Sequence, residues 1–83
     1  METLVFGGAT EAAITLGRAQ LKREFGIDLT GDVGQVKKMG TTATFTWDRA
    51  AEQLTVTVKG AFEGRGKKEV RKHLAAIGLQ ERA

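Results

Sequence analysis

The chain has 83 residues, a net charge of +3 and a hydrophobic fraction of 41%, with one histidine and no cysteine, proline or tyrosine. That is enough chain for one domain with a modest core. Without cysteine there is no disulfide framework, thiol chemistry or cysteine-based zinc site, and without serine there is no Ser–His nucleophile. No apolar run approaches the roughly 18 residues of a membrane span. Leu4-Val5-Phe6 is too short for a leader core, so a soluble cytoplasmic protein is the expectation.

Leu4-Val5-Phe6 reads as a short strand ended by Gly7-Gly8. Thr10 then has the chemistry of a helix N-cap, and Glu11 suits the positive end of the helix dipole. Ile14, Gly17, Leu21 and Phe25 recur at helical spacing, with Ala13 and Leu16 beside them. Gly17 on that apolar stripe marks a close approach by other backbone. Gly26 should stop the helix, with Ile27 folding back on its last turn.

Residues 28–40 carry the weakest pattern. Asp28, Gly31, Asp32 and Gly34 signal turns, and Gln35 to Met39 forms a candidate strand. Alternation returns at Ala43, Phe45 and Trp47, interleaved with Thr42, Thr44 and Thr46. After a loop over residues 48–53, Leu54, Val56 and Val58 alternate with Thr55, Thr57 and Lys59. These two segments predict an antiparallel hairpin with one apolar face and one threonine face. A last helix is expected from about Gly66, burying Val70, Leu74 and Ile77, with Gly78-Leu79 as its stop.

The expected fold is therefore α+β: an antiparallel sheet of two to four strands, with an N-terminal and a C-terminal helix packed on one face. The threonine face is left to solvent or to a second copy in a homodimer.

Charge is unevenly divided. Residues 1–36 carry three basic and five acidic side chains, and residues 37–83 carry ten basic and five acidic ones. Five of the basic residues, Arg65, Lys67, Lys68, Arg71 and Lys72, crowd the start and the solvent side of the last helix. They are the candidate anion- or partner-binding residues, against nucleic acid or an acidic protein surface. Gly64-Arg65-Gly66-Lys67-Lys68 lacks the spacing of a phosphate-binding P-loop. The competing reading is the solvated back of an amphipathic helix.

Catalytic residues are hard to assemble. His73 and Glu69 form an i, i+4 pair that could hold a metal only with further ligands. Asp28 and Asp32 lie in a glycine-rich turn and read as turn formers. Neither an enzyme, a cofactor nor a metal site is expected. Phe45 and Trp47 share a face with Ala43 and so read as core, not as nucleic-acid stacking platforms. Phe62 also reads as core.

The segments Thr42-Ala-Thr-Phe-Thr-Trp47, Leu54-Thr-Val-Thr-Val-Lys-Gly60-Ala-Phe62 and Lys67-Lys-Glu-Val-Arg-Lys-His-Leu74 carry a resemblance. With Phe25-Gly26-Ile27, the pattern resembles the polyhydroxyalkanoic acid system proteins, small bacterial proteins encoded near polyester-granule genes. It covers about residues 10–77. The resemblance implies a granule-associated or accessory role and carries over no catalytic residue. The sequence thus points to a non-enzymatic interaction protein, with polyester-storage granules as the implied setting. The alternative is a small basic nucleic-acid-binding or phage-type inhibitor module acting through its last helix.

Overall fold

A computed structural model describes residues 2–26, 28, 31–38, 40–61 and 63–82, with Phe25, Lys38 and Glu63 described by backbone only. Elements follow in the order β1 (Glu2–Gly7), α1 (Glu11–Phe25), β2 (Val33–Lys38), β3 (Thr41–Asp48), β4 (Gln53–Gly60), α2 (Glu63–Ala76) and β5 (Gln80–Arg82). The five strands form one antiparallel sheet in the order β2-β3-β4-β1-β5. The α+β class stands, but the sheet is wider than the two to four strands expected. The last helix is also not terminal, because β5 follows it and adds to β1. A three-residue strand of Gln80, Glu81 and Arg82 has no apolar alternation for a sequence pattern to register.

Strand alternation sorts the sheet into two faces. Leu4 and Phe6 of β1 pair with Val56 and Leu54 of β4. Ala43, Phe45 and Trp47 of β3 pair with Val58, Val56 and Leu54. Both helices lie over this apolar face. The core comprises Leu4, Phe6, Ala9, Ala13, Ile14, Trp47, Leu54, Val56, Val58, Leu74 and Leu79. On the other face the register lines up Thr3, Thr57, Thr44 and Gln35 across four strands. No described element of the chain covers that face.

The helix ends follow local chemistry. The Thr10 hydroxyl accepts a hydrogen bond from the Ala13 N–H at 3.2 Å, satisfying one of the unpaired donors of the first turn. Gly26 takes φ 68°, and its N–H reaches the carbonyls of Leu21 and Lys22. The companion expectation at Ile27 lies outside the described residues. At the end of α2, Gly78 has φ 92° and the Leu79 N–H donates to the Leu74 carbonyl at 3.0 Å. This six-to-one bond is the Schellman closure, with Leu79 buried beneath it.

Two expectations for the helices change. Leu16 is 60% exposed, because Ala13, Ile14, Gly17 and Leu21 already fill the inward arc of α1. The last helix starts at Glu63, three residues before Gly66, so Gly64 to Lys68 is helix and not a loop. The strand in the weakly patterned region is Val33–Lys38, slightly earlier than read. Phe62 lies outside the described residues.

Candidate functional site

The helices and the sheet do not close completely. Gly17 makes room for a side chain, not for the other backbone expected there: a Cβ on it would fall 2.9 Å from Cδ1 of Ile77, just past the end of α2. Farther along, Glu24 of α1 lies 3.8 Å from the Nδ1 of His73 in α2. Over β2 and at Ala43 of β3 the inward positions are small. Gly34 pairs with Phe45 and Val36 with Ala43, so little side-chain volume rises from the sheet there. The result is a cleft of about 580 Å³.

Its floor is Gly34 and Val36 of β2, Thr41, Ala43, Phe45 and Trp47 of β3, and Leu54 and Val58 of β4. Ile14, Gly17 and Leu21 of α1 form one wall, and Gly66, Val70 and Leu74 of α2, with Ile77 just beyond it, form the other. Ala43, Phe45, Val70 and Ile77 are only partly buried. The cleft is thus the unfilled continuation of the core, and its size suits a small apolar ligand.

One end of the cleft is clamped around Trp47. The indole Nε1–H donates to the Ala9 carbonyl at 2.8 Å, so the buried polar atom is satisfied. Arg49 lies over the ring with its guanidinium carbon 4.6 Å from the centroid, and Arg18 approaches it at 5.7 Å. Both cations are engaged elsewhere too. Arg18 donates to the Gly31 carbonyl. Arg49 pairs with Asp32, its Nη2 lying 2.9 Å from Oδ1. The hydrogen bond from Arg49 holds the Asp32 carboxyl below its ordinary pKa, and the carboxylate raises that of Arg49 in turn. The Arg49 charge is matched by Asp32, and Arg18 is held by a carbonyl and the ring face.

The five candidate cations of α2 do not act as one patch. Lys67 turns toward the sheet, its Nζ 3.7 Å from Glu2 Oε2, and is half-buried. Arg71 makes a two-pronged contact with Glu81 of β5, at 2.7 and 3.0 Å. That hydrogen bonding lowers the Glu81 pKa and raises that of Arg71. Lys67 and Arg71 therefore tether α2 to β1 and β5. Lys68 and Lys72 are exposed on the back of the helix. Arg65 is exposed at the end of the cleft opposite Trp47, beside Thr41 and Gly66, with no ion-pair partner among the described residues.

His73 lines the cleft between two carboxylates, with Nε2 3.5 Å from Glu69 Oε2 and Nδ1 3.8 Å from Glu24 Oε2. The carboxylates address opposite nitrogens of the ring. Their geometry is that of a link between α1 and α2, not of ligands converging on one ion.

The cleft could not be read along the chain, although parts of its signal were there. The alternation of Ala43, Phe45 and Trp47 announced the floor and Gly17 stood on the inward stripe of α1, whereas Gly34, which reads as a turn signal in sequence, falls inside β2. That these gaps coincide in space depends on the pairing of β2 with β3 and on the placement of α2. Arg18, Gln20 and Asp32 line the cleft with no pattern in the sequence to mark them. Compared with known proteins, the chain matches no family model, no curated protein and no solved structure.

Proposed function

We propose that this protein is a non-enzymatic binding module that holds an apolar ligand between its helix pair and its sheet. One observation carries the reading: a cleft of about 580 Å³ continuous with the core and lined mainly by apolar side chains. Burying ligand surface there would gain about 25 cal/mol per Å² of apolar area, before the entropy of binding is subtracted. An accessory role of the kind implied by the resemblance to the polyester-system proteins is in keeping with such a cleft, whose natural contents would be acyl material. The alternative, a basic module for nucleic acid, is weakened because Lys67 and Arg71 are already paired with Glu2 and Glu81.

The test is titration with 1-decanol, followed by methyl chemical shifts of Leu54, Val58, Val70 and Ile77. Shifts at these methyls, lost in an Ala43→Phe variant that still folds, support the reading. Binding that survives Ala43→Phe unchanged, or no binding to the parent, refutes it. Retention of the parent on DNA at moderate salt, abolished by Lys68→Ala with Lys72→Ala, would favour the alternative.

A further inference from the structure

The two ends of the cleft differ in how their cations are engaged. At the Trp47 end, Asp32 is paired with Arg49, and Arg18 is bound to the Gly31 carbonyl and the indole face. At the other end, Arg65 has no ion-pair partner among the described residues. The acidic side chains described near that end are engaged, Glu2 by Lys67 and Glu69 by His73. An anion arriving at this mouth meets a guanidinium whose donors no described side chain engages.

Resting on the cleft as a ligand site, we propose that its occupant is a single-chain carboxylate. Its head group is held by Arg65, and its chain runs along β3 toward Trp47. From Thr41 to Trp47 the strand advances about 20 Å at roughly 3.3 Å per residue, which leaves room for a medium-length chain. The floor along that path is apolar, namely Ala43, Phe45 and Trp47. The guanidinium suits a carboxylate because its fork can donate two parallel hydrogen bonds. The opposite orientation would bring the head to cations already satisfied and leave Arg65 without a partner.

Decanoate and 1-decanol, equal in chain length, separate this proposal from the reading beneath it. Calorimetric titration of the parent should show decanoate binding about tenfold more tightly, the size of one charge-assisted hydrogen bond at a partly exposed site. Arg65→Gln should reduce that preference to below about twofold while leaving decanol affinity unchanged, and Arg65→Lys should keep part of it. Arg23→Gln makes the same change in net charge on α1 and should leave the preference intact. Decyl sulfate tests the head group: a preference for it over decanoate would overturn the carboxylate assignment in favour of a different oxyanion. Equal binding of decanoate and decanol overturns the head-group proposal but leaves the cleft as an apolar site. An equal loss in Arg23→Gln and Arg65→Gln assigns the preference to net charge and overturns the role of Arg65. Failure of both ligands to bind overturns the cleft reading itself.

Discussion

Two glycines in the first turns of α2 allow the packing of that helix to be tested without touching a polar group. A glycine within a helix costs up to about 1 kcal/mol relative to alanine, so replacement should stabilise wherever a methyl fits. At Gly64 nothing described lies within 4 Å of the position a Cβ would take. Being near the helix end, Gly64→Ala should add about 0.5 kcal/mol. At Gly66 the same methyl would sit 3.1 Å from Val58 Cγ1 and 3.2 Å from Thr41 Cγ2. Val58 is completely buried and pairs with both Glu2 and Ala43, so it has little freedom to retreat. Overpacking of this kind costs about 2 kcal/mol, which outweighs the helix gain and leaves Gly66→Ala destabilised by about 1 kcal/mol. Urea unfolding measures both changes. In thermal melts, 1 kcal/mol corresponds to about 4–8 °C for a domain of this size, so the two variants should move in opposite directions. A Gly66→Ala variant as stable as Gly64→Ala would refute the close seating of α2 over Val58 and Thr41. The wall of the cleft would then have to be redrawn.

Three further outcomes follow from single contacts. Thr10→Ala should cost about 1 kcal/mol, because the Ala13 N–H loses its acceptor, whereas Thr10→Ser should cost little. Equal losses in the two variants would assign the effect to the methyl group instead. Acid should weaken the fold through Glu81 and Asp32, whose pKa values are held below their ordinary 4.5 and 3.8 by Arg71 and Arg49. Depressed carboxylates contribute stability that is present above the ordinary values and lost as pH falls through the folded ones. The double variant Glu81→Gln, Asp32→Asn should therefore show a flatter loss of stability on acidification below about pH 4.5, and an unchanged slope would contradict the pairing. Leu79→Ala should cost about 2–3 kcal/mol by emptying the site under the α2 stop. A loss below about 1 kcal/mol would mean that Leu79 is not packed there.

Much of the fold was legible along the chain because it depends on neighbours in sequence. Thr10 caps α1 and Gly26 ends it through bonds that span three to five residues. The β3–β4 hairpin declared itself by strict alternation, since burying one face of a sheet forces a period of two. The Gly78-Leu79 stop was equally local. Other readings needed facts that no local pattern contains. Leu16 has the composition of a core residue, yet the inward arc of α1 was already full. The crowd of cations on α2 looked like one surface, although two of its members bond to β1 and β5.

The sequence by itself determined that this is an α+β domain with an apolar and a threonine face, because periodicity and caps are written in neighbouring residues. Only the tertiary structure decided the strand order β2-β3-β4-β1-β5, with β5 joined to the first strand, because sheet pairing across the chain ends is non-local. It also decided which cations became tethers and which faces open space. The cleft has the same origin. Small residues at Gly17, Gly34, Ala43 and Gly66 are unremarkable one at a time, and a cavity exists only where the fold brings their missing volumes together.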